Sequence, residues 1–126
     1  MKYLDCIELL NLALKLLKSG ERVQVPVSKL TEIQLIVVRV NSRLETYPNM
    51  EIARSMMHDL MLSIGVAQEN KAVKFLNDQM KQALVEGIRA TKKHIASEAY
   101  QYYSNTDFEP TPQNIPLMRE VVQLCV

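Results

Sequence analysis

Hydrophobic residues recur along most of this chain every three or four positions, and alternation by two is confined to one short stretch. That period predicts amphipathic helices. The first spans 3–19 and carries Ile7, Leu9, Leu10, Leu12, Leu14, Leu16 and Leu17, so more than half of its circumference is apolar and one neighbour would not cover it. Gly20 stands where a helix C-cap is expected, because glycine enters the left-handed conformation without a Cβ clash. Valines at 23, 25 and 27 then alternate with polar residues, which predicts an extended connector or short edge strand, and Pro26 argues against a central strand.

A second helix is expected from Ser28 or Thr31 onward, where Thr31-Glu32-Ile33-Gln34 matches a capping box. Leu30, Ile33, Val37, Val40 and Leu44 form its stripe, while Leu35 and Val38 lie off it, as on a helix buried nearly all round. Pro48 closes this helix, and Asn49 is the expected N-cap of a third that ends at Gly65. Met50, Ala53, Met57, Leu60, Met61 and Ile64 give the third helix a clean apolar face. No proline intervenes over 67–103, which predicts one long helix of about 54 Å, with Gly87 the natural place for a bend. A polar loop with Pro110 and Pro112 follows over 105–115, and Pro116 suits the first turn of a short last helix, 116–125.

The expected fold is therefore all-α: one domain over 1–126, a bundle of four or five helices with one long member. Composition agrees, with 48% hydrophobic and 23% charged residues, the balance of a globular chain. Lys and Arg number 15 against 14 Asp and Glu, so no overall field draws the molecule onto nucleic acid or an anionic membrane. Cys6 and Cys125 have no metal-ligand spacing, and the charged opening segment does not read as a signal peptide. Two reduced thiols and a cytoplasmic location are the expectation. No stretch approaches the length of a membrane span.

Three scattered glycines exclude a phosphate loop or dinucleotide fingerprint, which need clustered glycines for close approach. HExxH, ExxH, EF-hand and GxSxG patterns are absent, so no metal or cofactor is expected. Three weaker signals remain, all touching the long helix. Arg89-Ala-Thr-Lys-Lys-His94 resembles the ribonuclease motif of HEPN domains. The resemblance implies a small helical bundle in which Arg89 and His94 meet at a dimer interface and cleave RNA. It covers six residues; Ala90 replaces the usual polar residue, and no aromatic follows His94. Positions five apart on a continuous helix differ by about 140°, so the pair converges only if the helix starts or breaks nearby.

The second signal is a basic stripe of Lys71, Lys74, Lys81, Arg89, Lys92 and Lys93, with Asp78 the one acid among them. It could track phosphates, but near-neutral net charge makes a solvated helix face the better reading. The third is His94 with Glu98 one turn on, beside Thr91, a spacing that tunes a general base or satisfies two core polar groups. Leu30-Thr31-Glu32 and Asn49–Arg54 also resemble parts of a bacterial helix-turn-helix, yet Met57 stands where that motif needs its turn, which excludes it.

The function expected is a non-catalytic oligomeric interaction protein: an adaptor, regulator or inhibitor of another protein. A two-fold dimer would cover the surplus apolar surface of the first two helices and the overhang of the long one. An HEPN-like ribonuclease carried by Arg89 and His94, and a nucleic-acid binder using the basic stripe, are the alternatives.

Overall fold

The computed structural model describes residues 2–70 and 72–125. Among them five helices form: α1 (Tyr3–Leu16), α2 (Leu30–Leu44), α3 (Glu51–Glu69), α4 (Asp78–Ser104) and α5 (Ile115–Cys125). The first four make an up-down-up-down bundle. α1 packs on α2, α2 on α3, α3 on α4 and α4 back on α1, while α5 lies outside against α4 and α1. The core runs the length of this ring, from Tyr3, Ile7, Leu10 and Leu17 through Ile33, Val40, Met57 and Ile64 to Leu84, Ile88, Ile95 and Ala99. Each helix faces two neighbours, which is why the apolar stripes are broad.

The predicted boundaries need correction, each for a local reason. α1 stops before Gly20, because Lys18 takes the left-handed conformation (φ 50°). Ser19 N–H reaches Leu14 O and Lys18 N–H reaches Lys15 O, both at 3.0 Å, the two bonds of a Schellman ending. A non-glycine residue in this region costs roughly 1–2 kcal/mol. The Thr31 capping box does not form: a 3-10 turn at Val27–Lys29 leads into α2, and Gln34 instead accepts a bond from Gln68 on α3 at 3.2 Å. Asn49 is not the N-cap of α3. It turns the corner with φ 60°, and Met50 holds the cap position.

The helix expected over 67–103 is split. Gly65 does not end α3, which runs on to Glu69, so 67–69 belong to α3. α4 starts only at Asp78, where the Asn77 side chain accepts the Met80 N–H at 2.7 Å. The chain leaves helix in between because Phe75 pairs with Pro26 in an isolated antiparallel bridge. Val27 N–H donates to Lys74 O and Leu76 N–H to Val25 O, both at 2.9 Å, so the two connections at this end of the bundle clamp each other. Within α4 no break occurs at Gly87. Its missing side chain admits Leu60 instead: a Cβ there would lie 2.8 Å from Leu60 Cδ2.

At the opposite end an aromatic cluster ties the elements. Tyr3 sits 4.9 Å from Tyr47, 5.4 Å from Tyr102 and 6.2 Å from Tyr103 between ring centroids, and Phe108 lies tilted against Tyr103 at 4.3 Å. The Tyr47 hydroxyl accepts the Lys2 N–H at 2.8 Å. Burial pushes the Tyr103 hydroxyl up to about 12, against an opposing bond to Leu4 backbone. Among the described residues no helix is long and apolar enough to cross a membrane.

Candidate functional site

α4 carries all the described candidate residues except Lys74, and its regular turn decides where each points. Because the helix is unbroken from Asp78 to Ser104, Arg89 and His94 are set about 140° apart around it. Arg89 is exposed and donates from Nη2 to Ser19 Oγ at 2.6 Å, beside the end of α1. His94 is half-buried on another face, with Nε2 sealed from solvent and without a hydrogen-bond partner. One chain does not bring the two together.

The expected pairing of His94 with Glu98 is absent: among the described residues no ion pair joins them. Glu98 lies near Tyr3, where its charge is the second cause, after burial, of that hydroxyl's raised pKa. Thr91, beside them, is fully buried and turns its hydroxyl back onto Gly87 O at 2.8 Å. This spends the hydroxyl's one proton within its own helix, so Thr91 donates nothing to His94.

The basic stripe is not one continuous face. Lys71 lies outside the described residues, and Lys74 belongs to the α3–α4 connection rather than to a helix. Lys81 Nζ donates to Glu21 O at 2.7 Å and Val23 O at 3.0 Å, bracing the α1–α2 connection. Lys92 is sequestered, with its side chain 12% exposed. Its ammonium contacts Glu120 Oε1 at 2.6 Å and Asn11 Oδ1 at 2.9 Å, and Asn11 Nδ2 returns to Glu120 Oε2 at 2.8 Å. This closed triangle joins α4, α5 and α1. Lys93 is exposed and close to α5: burial raises the Cys125 thiol, and the Lys93 charge opposes that rise without cancelling it.

Two surfaces remain as places where something could bind. A groove of about 700 Å³ runs between the α1–α2 connection and one face of α4, bordered by Arg22, Gln24, Asp78, Lys81, Gln82 and Arg89. It collects two members of the basic stripe and adds Arg22, which sequence reasoning missed. The signal available was the alternation from Glu21 to Val27, which places the Arg22 and Gln24 side chains on one face of the connector.

The second surface is on α5. Leu117, Val121 and Leu124 face the bundle, and Met118 packs against its core as well as reaching outward; Ile115, Met118 and Val122, with Pro110, Arg119 and Gln123, line a shallow, mainly apolar groove of about 410 Å³. Neither surface presents a nucleophile beside a base. Among the described residues, no group of three or more His, Cys, Asp or Glu side chains could hold a metal ion. No family model, no curated protein and no solved structure matches this chain.

Proposed function

We propose that the chain is a non-catalytic interaction protein that self-associates through the outer face of α5. The observation that carries this is the second apolar stripe on a helix whose first stripe is already seated. Ile115, Met118 and Val122 follow one another at helical spacing, with Ile115 and Val122 exposed and Met118 half-buried between them. An isolated surface apolar residue needs no explanation, but a grooved row of them marks an interaction site.

The stripe is suited to a second copy. Ile115 and Val122 lie about two turns apart with Met118 between, so a two-fold axis near Met118 sets Ile115 of one copy against Val122 of the other. The length of α4 and part of the surplus on α1 are covered inside one chain by α5, whereas α2 is not buried all round: Leu35 and Val38 stay exposed, as does Leu12 on α1. A helix of 11 residues makes a small interface, so association at micromolar rather than nanomolar concentration is expected. Sedimentation velocity over a concentration series tests this: a dimer fraction that grows with concentration supports the reading. A monomer at every concentration to about 100 μM, near the weak end for specific dimers, overturns it.

A further inference from the structure

We infer that a third surface, the outer side of the seam between α2 and α3, is a docking site for one amphipathic helix of another protein. That helix sits over Gly65, with an acidic flank toward Arg39 and a basic flank toward Asp59. The surface is separate from the α5 stripe, and the inference goes beyond the self-association proposed for that stripe.

Two cross-links fix how these helices meet: Gln68 donates to Gln34 at 3.2 Å, and Arg54 lies 3.6 Å from Glu45. On α2, Val38 falls about one turn after Gln34 and about two turns before Glu45, so it shares the edge that turns to α3. On α3, Gly65 falls about one turn before Gln68 and about three turns after Arg54, on the edge that turns to α2. Val38 and Gly65 are thus the floor of the seam. Leu35 and Leu62, each three residues earlier, stand further out as its walls, and Val66 extends the α3 side. Leu35, Val38, Leu62 and Val66 are 64%, 44%, 58% and 64% exposed, against 38% and 42% for Ile115 and Val122. Nothing inside the chain accounts for Gly65. It neither ends α3 nor takes a left-handed conformation, and a Cβ there would meet nothing within 4 Å, whereas Leu60 fills the space at Gly87. A glycine inside a helix weakens it relative to alanine, and here it keeps the floor open for a side chain from outside.

The walls decide what fits. Both are helices whose interior backbone groups are bonded within themselves, so the seam offers an incoming chain no row of free donors or acceptors. The occupant must bring its own backbone bonds, which makes it a helix with an apolar stripe. A second copy presents the same seam, and two seams face to face leave both floors empty; one ridge fills one groove. Charge then specifies the flanks. On the α2 side Arg39 is exposed and forms no ion pair among the described residues, while Glu32 and Glu45 are paired with Lys29 and Arg54. On the α3 side Asp59 and Glu69 are exposed and likewise form no ion pair there. One rim is therefore basic and the other acidic, and a helix with opposite charges on its two flanks meets both, as flanking positions do in paired helices.

Fluorescence anisotropy on the whole chain tests the inference. The probe is a labelled, stapled helical peptide with a leucine stripe, glutamates along one flank and lysines along the other. Saturable binding is expected, and peptides with glutamate on both flanks or lysine on both should bind about threefold to fivefold more weakly. Arg39→Glu makes both rims acidic and should make the all-lysine peptide the tightest of the three. Leu35→Glu and Gly65→Leu should each weaken binding by about tenfold or more, and the fold should survive because both positions are open on the outside. Gly65→Ala should raise the melting temperature while weakening binding, a combination that a glycine needed only for packing does not give. Absence of saturable binding up to about 1 mM overturns the site. Undiminished binding by Gly65→Leu overturns the place of Gly65 in it, and equal affinity for the three peptides overturns the charged flanks. A dimer lost on Leu35→Glu overturns the inference and gives the face to a second copy. Val122→Glu should leave peptide binding unchanged, so this reading and that of α5 fail separately.

Discussion

The four-helix body and α5 are held by different physics. In the body every helix turns several fully buried apolar residues inward, and both ends are tied, by the 25–27/74–76 clamp and by the tyrosines. In α5 only Val121 is fully buried, and the Lys92–Glu120–Asn11 triangle supplies the specific anchor. Burial of broad stripes fixes the body. One small contact and one charged triangle fix α5, which leaves it the element most able to respond to a partner.

The sharpest way to separate the two regions is to remove core volume from each. Ile95→Ala, in the centre of α4, should lower global stability by about 2–5 kcal/mol in urea melts. Val121→Ala should act locally, with amide exchange rising in α5 while the body stays protected. A global loss from Val121→Ala as large as that from Ile95→Ala would show that α5 is an integral part of the body.

Next in size is the triangle. Lys92→Met leaves Glu120, whose side chain is 26% exposed, without its cation and should cost about 1–3 kcal/mol, less than a fully buried pair. Adding Glu120→Met should recover most of that. If the double variant is as unstable as the single one, the charge pairing is not the anchor.

Alkaline pH stresses the body more than α5. Burial pushes the Cys6 thiol up to about 11 from 9.0, and Tyr103 up to about 12 from 10.0. The folded state holds both groups protonated where the unfolded chain has released the proton. Their contribution is therefore intact below about pH 9 and lost as pH rises through 9–11 for Cys6 and 10–12 for Tyr103. Cys6→Ala should flatten the decline of stability between pH 9 and 11. An unchanged slope would contradict that linkage.

His94 gives the smallest effect. With Nε2 buried and unpartnered, His94→Leu should be neutral or stabilising by up to about 1 kcal/mol, by removing a desolvated polar atom. A clear loss of stability would reveal a partner for that nitrogen.

The helices were legible because their cores are periodic: Ile33, Val37, Val40 and Leu44 name their own face. The last helix was legible from Pro116 and its inward Leu117 and Val121. What could not be read was decided by distant residues. Nothing near Gly65 says whether α3 stops there; the stop comes after it, where Phe75 meets a segment some fifty residues earlier. Gly87 looked like a hinge, yet its reason is Leu60 on another helix. The candidate site divides the same way. The divergence of Arg89 and His94 followed from helical geometry alone, once continuity was known. That Lys92 is sequestered by Glu120 and Asn11, and that Arg22 shares a groove with Arg89, required the positions of α5 and the α1–α2 connection.

The central claim is that α5 keeps one apolar face for the body and offers the other to a second copy. Light scattering on Val122→Glu and Leu35→Glu tests it directly, since Leu35 on α2 is also exposed, at 64%, but lies outside the stripe. Over a concentration series reaching tens of micromolar, wild type and Leu35→Glu should gain mass toward a dimer, and Val122→Glu should remain a monomer. The reverse pattern, a monomeric Leu35→Glu and a dimeric Val122→Glu, would contradict the assignment of α5 as the interface.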